Sequence, residues 1–352
     1  MKKILIKIYQ SSLRFKDTIL PKIFVFSPFF SSLYYLLFST KFKREQHAVL
    51  KGKLLHLKEL KSDKANIYTL IRNIHRLEKG LLMKPRRDVF AVDFIAETVD
   101  AFLGIWTPEK IKKDSQYKWF YDVLNKYFSV LGKHPLVDNE KKRFLDFIKN
   151  YSDQKSSNEE EKSIPYYRQE ANKTKITFEE FYNLTKYRRS VRWFLNDKVP
   201  HDLIDKAVLA ANQSPSACNR QPFEFKVIDD PVLLKEVANL PMGARGYVDG
   251  IPMIIVIVGN LDAYFDERDR HIIYIDGSLA SMTFMLGLET LGLSSCAINW
   301  PDIERLEKKM EKTLKLEKYQ RPIMCMAVGF SHPEGKVAYS EKRSLEHIRK
   351  YN

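Results

Sequence analysis

The chain has 352 residues, 44% of them apolar and 29% charged, enough for one large globular domain and a smaller companion. Its net charge of +15 is not spread as a nucleic-acid-binding protein would spread it: residues 1–175 hold 35 basic against 20 acidic side chains, residues 176–352 hold 24 of each, and the first 64 alone hold 14 against 4. Cys218, Cys296 and Cys325 form no CxxC pair and leave an odd number, which argues against a disulfide framework and for reduced thiols in a cytoplasmic protein.

Near the start, Ile19 to Phe42 is apolar and rich in aromatic residues, but Pro21, Lys22 and Pro28 interrupt it. A membrane-spanning helix needs about 20 uninterrupted apolar residues. The stretch therefore either packs on the protein or lies at an anionic membrane surface beside its basic neighbours. From Ile67 the periodicity is helical: Ile67, Leu70, Ile71, Ile74, Leu77 and Leu81 fall three or four apart, and Asp93–Phe102 and Trp119–Leu131 continue in that manner. Residues 1–150 thus read as a basic, helical N-terminal region. Around its segment Asn73–Arg87 one helix face bears Arg72, Arg76 and Lys79, which is either a solvated face or the lid of a site; His75 and Glu78 become proton carriers if that helix reaches the chemistry.

Ser152 to Pro165 is polar and charged, and reads as a linker within 151–170. Beyond it the pattern changes, and residues 171–352 read as a second domain. Thr177 and Glu180 fit a capping box that opens a helix running to about Tyr187. Pro200 opens another helix, ending before the loop "NQSPSACNRQPF". "FEFKVI", Phe223–Ile228, alternates like a half-buried strand, whereas Pro252–Gly259 is apolar throughout, as a central strand would be. A long helix from about Ile275 to Leu291, stopped by Gly292, precedes the short run "CAINW", a helix from Ile303 and a third strand "PIMCMAVGF". A sheet covered by helices is expected. No internal repeat or sustained heptad is present.

There is no GxGxxG after a strand, GxxxxGK[ST], HExxH, GxSxG or clustered Cys/His set, so dinucleotide-fold, P-loop, zinc and serine-hydrolase chemistries are disfavoured and no metal is expected. Three other segments remain. In "YRRSVRWF", Tyr187–Phe194, Arg188, Ser190 and Arg192 alternate to one side of an extended stretch, where two guanidinium forks and a hydroxyl can enclose a phosphate, with Arg189 close by. In "SPSACNRQP" small residues allow close backbone approach to a flat ligand, and Asn219 and Gln221 offer amides to a heterocycle's edge. Finally, "LGLSSCAINWPD" supplies a strand that can present its backbone to a ring, and Lys342 and Arg343 add charge near the C-terminus. Taken singly, each also fits a plain surface loop or basic pair.

Together, in this order, the segments resemble the FMN-dependent nitroreductase family over roughly Phe178 to Tyr351. The resemblance implies an α+β fold, with a central mixed, mainly antiparallel sheet flanked by helices. Arg188, Ser190 and Arg192 would hold the phosphate and ribityl chain of FMN, with Arg189 nearby, and Arg343 with Lys342 would add a C-terminal phosphate contact. Pro215, Ser216 and Asn219 would meet the isoalloxazine from the other subunit of a homodimer, and Asp276 would reach the partner's flavin. Asn299 and Trp300 would lie beside flavin N5, although Trp300 stands where many members have glycine. The flavin itself would carry the chemistry, so no side chain is assigned as the catalytic group. The implied activity is NAD(P)H-dependent reduction of a small organic acceptor by a ping-pong hydride mechanism. A flavin-binding scaffold without turnover, or a membrane-surface partner protein, is the other reading, and nucleic acid is not an expected partner.

Overall fold

The computed structural model describes residues 15–59, 67–151, 162–168 and 173–352. Of the linker expected at Ser152–Pro165, all but its last four residues lie outside that set.

The helices are α1 (Leu20–Phe24), α2 (Pro28–Leu37), α3 (Lys43–Glu59), α4 (Ile67–Leu82), α5 (Ile95–Ile105), α6 (Pro108–Ile111), α7 (Gln116–Val130), α8 (Pro135–Lys149), α9 (Phe178–Tyr187), α10 (His201–Ala211), α11 (Pro231–Ala238), α12 (Ile272–Thr290), α13 (Glu304–Leu314) and α14 (Leu345–Ile348). Strands β1 (Phe223–Ile228), β2 (Met253–Asn260), β3 (Ser294–Asn299) and β4 (Gln320–Gly329) form one antiparallel sheet in the order β1-β2-β4-β3. The fold is α+β, as expected, and a parallel bridge, Ser190 to Ser295, joins the arginine segment to the sheet.

β2 is buried at every position, because helices cover both faces of the sheet. Ile254, Val256 and Val258 face a core shared with α11 and α13, while Met253, Ile255 and Ile257 face α10 and α12. The alternation of a strand is thus hidden in a continuous apolar run. The capping box of α9 is closed: Thr177 Oγ1 accepts from the Glu180 N–H at 3.2 Å, and Glu180 Oε2 accepts from the Thr177 N–H at 2.7 Å.

Helices α4 to α8 have a core of their own. Leu70, Ile74 and Leu77 from α4 pack with Phe102 and Trp106 from the α5 end and with Phe120 and Phe144 from α7 and α8. Burying each aliphatic side chain there stabilises the unit by about 1.5–3 kcal/mol. The basic face of α4 is largely paired: Arg76 lies 3.3 Å from Asp93 and over the Phe94 ring, and Arg72 lies 3.5 Å from Glu97. α3 belongs elsewhere. Its Ala48 and Val49 share a cluster with Leu261, Tyr264 and Ile273, and a Cβ on Gly52 would come within 2.6 Å of the Leu261 backbone. Arg44 completes the docking with bonds of 2.8 and 2.6 Å to Glu304 and Glu311 of α13. The N-terminal region is therefore clamped to the sheet domain by α3 before it forms its own bundle.

Candidate functional site

The arginine turn begins where α9 ends. Arg188 leaves helical geometry (φ −58°, ψ 121°), and the chain then runs extended along the outer edge of β3, with the Val191 N–H donating to Ser295 O at 3.0 Å. Arg189 and Arg192 donate to main-chain carbonyls within the turn, at 2.9 and 3.4 Å. Arg188 Nε is buried and has no hydrogen-bond partner, and the same holds for Ser295 Oγ and for Glu289 Oε1. Glu289 sits in the last turn of α12, next to Arg188. Burial pushes its carboxyl up to about 7, while the Ser294 hydroxyl and the Arg188 charge pull the other way. A buried guanidinium N–H without an acceptor costs on the order of 1–3 kcal/mol. Among the described residues no group accepts from Arg188 Nε, although the Glu289 carboxyl lies close by.

Arg188, Ser190 and Arg192 were legible as charge density, whereas Ser295 and Glu289 were missed. The available signal for Glu289 was its place: an acid in the last turn of an apolar helix opposes the helix dipole.

The second segment lies at the other end of α12. Ser214 Oγ is 2.8 Å from Thr283 Oγ1, and the Ala217 N–H donates to Asp276 Oδ2 at 3.0 Å. Cys218, Asn219 and Gln221 all have φ between 50° and 55°, a left-handed conformation that non-glycine residues adopt only when their surroundings enforce it. The enforcement is visible: the Gln221 N–H donates to Ser216 Oγ at 3.1 Å, Gln221 Nε2 to Asn219 Oδ1 at 3.1 Å, and the buried Arg220 lies over the Tyr264 ring. Asp276 has a role within its own chain. Its carboxylate is buried and holds the loop of its own chain, and burial raises its pKa.

Asp276 and Glu289 are 13 residues apart on one helix, about 20 Å at 1.5 Å per residue. The arginine turn and the loop therefore stand at opposite ends of α12. Pro215, Ser216, Asn219 and Gln221 instead line a cleft of about 1250 Å³, whose far wall is formed by His75 and Glu78 of α4 and Trp119 of α7. α4 also packs directly on the 217–219 turn. The N-terminal helices thus reach the predicted ring-binding loop, as the lid reading of Asn73–Arg87 and the conditional role of His75 and Glu78 anticipated; Trp119 carried no signal of its own.

Asn299 is exposed at the end of β3, as a residue beside a ligand would be. The Trp300 indole is not beside that surface. It is buried in the core under α13, donating to Glu307 Oε1 at 2.5 Å, and so supplies a donor to a buried carboxylate that also lies 3.6 Å from the buried Arg321. Lys342 and Arg343 lie in an exposed C-terminal tail with local bonds only, Lys342 N–H to Glu341 at 2.9 Å and Arg343 to His347 O at 3.3 Å. The structure does not bring them to the arginine turn. Among the described residues no group of three or more His, Cys, Asp or Glu side chains is arranged to hold a metal.

A family model described as nitroreductase family matches residues 185–245 and 239–330. An iodotyrosine deiodinase of Haliscomenobacter hydrossis is 34% identical over 184 residues, covering 43% of this chain and 79% of that one. Iodotyrosine deiodinase 1 of Sus scrofa is 24% identical over 247 residues, covering 61% of this chain and 84% of the other. Among solved structures, an FMN-dependent nitroreductase from Clostridium difficile R20291 aligns with a TM-score of 0.41 at 24% identity, covering 48% of this chain and 98% of that one. The arginine turn, the strained loop and the sheet between them lie within the matched span, and the chain belongs to the nitroreductase family.

Proposed function

We propose that this protein is an FMN-dependent oxidoreductase of the nitroreductase type, working as a homodimer that takes electrons from NAD(P)H and passes them to a small organic acceptor. The observation that carries the reading is the buried Arg188 Nε without a protein acceptor, in a turn that gathers three guanidinium groups and borders an equally unpartnered Ser295 hydroxyl. A phosphate supplies the acceptors this donor set lacks. The residues present fit FMN: Arg188, Arg189, Ser190 and Arg192 would hold its phosphate end, and Pro215, Ser216, Asn219 and Gln221 would hold its ring end. When bound, FMN supplies reversible two-electron chemistry that a nicotinamide and an acceptor can use in turn.

The chain's own contribution is positioning. Asp276 fixes the loop by accepting from Ala217 N–H, so the left-handed residues keep their shape without ligand. The about 20 Å between the two ends of α12 favours a site completed by two chains, the turn of one and the loop of the other. The exposed apolar residues Ile275, Leu279 and Met282 follow one face of that same helix at four- and three-residue spacing, as a buried dimer seam would.

The test is the absorption spectrum of the purified protein, followed anaerobically on adding NADH or NADPH. A yellow protein that releases FMN on denaturation and bleaches with either nucleotide is the expected result. Arg188→Ala should purify with about tenfold weaker FMN retention, the loss of one charge-assisted contact. A wild-type protein that takes up no FMN overturns the reading.

A further inference from the structure

The loop of the nitroreductase domain forms only one side of the cleft. On the other, Glu78 Oε1 accepts the Trp119 indole N–H at 2.9 Å, and Glu78 Oε2 lies 3.6 Å from His75 Nδ1. At that distance the carboxylate sits beside Nδ1 without a hydrogen bond, and Nε2 is the ring nitrogen that Glu78 does not approach. Trp119 packs on one side against the core of α4 to α8, and all three side chains line the open cleft on the other. Tyr166 and Tyr167 stand at the mouth on a strap tied to α7 by the Ser163 N–H, which donates to Asp122 at 2.8 Å. The cleft volume, about 1250 Å³, exceeds the roughly 300–1,000 Å³ of a site for one small molecule, leaving room for a cofactor ring and a second ligand.

We propose that His75, Glu78 and Trp119 form the recognition wall for the electron acceptor, a planar aromatic molecule bearing a carbonyl or oxyanion. Aromatic faces suit a flat ring, and an imidazole whose Nδ1 is held by no hydrogen bond among the described residues can carry its proton on Nε2 and donate it to the oxygen. The proposal rests on the FMN reading and adds the place and chemistry of the second substrate. Its test uses the full-length, FMN-loaded, oxidised protein without reductant, titrated with p-nitrophenol by calorimetry and by perturbation of the visible flavin bands. His75→Gln and Trp119→Leu should each weaken binding about tenfold while leaving FMN content unchanged. His75 is half-buried at the cleft surface, so its variant remains informative should Trp119→Leu fail to fold. No binding by the wild-type protein, or equal affinity in FMN-loaded His75→Gln, overturns the proposal alone. A protein that takes up no FMN overturns the FMN reading and this proposal with it.

A different observation carries a second inference. In the segment that includes α1 and α2, Val25, Phe26, Phe29 and Leu36 are 71%, 68%, 71% and 68% exposed, and Ile23 and Leu37 are exposed as well. Between Asp17 and Glu45 the sequence has no acidic residue, and Lys22, Lys41 and Lys43 are exposed around the apolar surface. Helices of five and ten residues are too short to span a bilayer, which takes about 20. We infer that this segment docks in the plane of an anionic membrane surface, apolar side chains in the acyl boundary and lysines at the headgroups. The full-length protein should float with vesicles of phosphatidylcholine containing 30% phosphatidylglycerol, weakly with phosphatidylcholine alone, and with neither after Phe26→Glu with Phe29→Glu. Absence of flotation with anionic vesicles, or self-association through this surface in place of vesicle binding, overturns the inference.

Discussion

At the scale of single residues, the site is defined by polar groups that its own chain leaves unsatisfied. Arg188 Nε, Ser295 Oγ and Glu289 Oε1 are buried together at one end of α12. Glu289 makes this cost depend on pH. Its carboxyl is pushed up to about 7 by burial, above the unfolded value of about 4.3, so the folded state holds the extra proton between those values. Stability therefore falls as pH rises through that window and levels off above it. Glu289→Gln should lack the decline, so that the variant gains over the wild-type protein on going from pH 5 to pH 8, by on the order of 1–2 kcal/mol once solvent screening is discounted. Urea unfolding at the two pH values measures it, and a gap independent of pH would refute the assignment. Trp300 shows the converse case. Its indole satisfies a buried carboxylate, so its size matters to the core and leaves the surface beside Asn299 open.

At the scale of elements, the sheet domain was legible because local and global signals agree there. Capping box, proline starts and apolar runs fall where α9, α10, β1, β2, α12, β3 and β4 begin and end, to within a few residues. α3, α8 and α11 were not read from the sequence. α3 has little amphipathic contrast because it docks through the small residues Ala48 and Gly52, and α11 is only eight residues long, too short to show a period. Of the site, the arginine turn and the loop were visible as composition, but their separation along α12 was not, since no local pattern encodes a distance between chain ends. The apolar seam on α12 belongs to this scale too. Leu279 lies at its middle and is 43% exposed, so Leu279→Asp places a charge in the proposed interface at little cost to the protomer. Sedimentation should show a dimer converted to monomer, with FMN content falling in step; a dimer that persists with full flavin would place the interface elsewhere.

At the scale of the whole molecule, the question is whose N-terminal helices cover which site. α4 packs on the 217–219 turn of its own chain, so the His75–Glu78–Trp119 wall travels with that loop. The arginine turn of the same chain stands about 20 Å away along α12. If a flavin is held by the turn of one chain and the loop of the other, the wall facing it belongs to the loop donor, and the phosphate donor contributes none of it. Mixed dimers separate the alternatives. One chain carries Arg188→Ala with Arg192→Ala and an intact wall, while the other carries His75→Gln with an intact turn. In the proposed arrangement one site of the mixed dimer combines both defects and the other combines neither, so the surviving flavin should bind p-nitrophenol with wild-type affinity at half the wild-type stoichiometry. If the wall instead served the flavin anchored by its own chain's turn, the one retained flavin would always face a defective wall, and its affinity would match that of the His75→Gln homodimer. Differentially tagged co-expression, purification over both tags and titration of the resulting species decide between the two without requiring turnover.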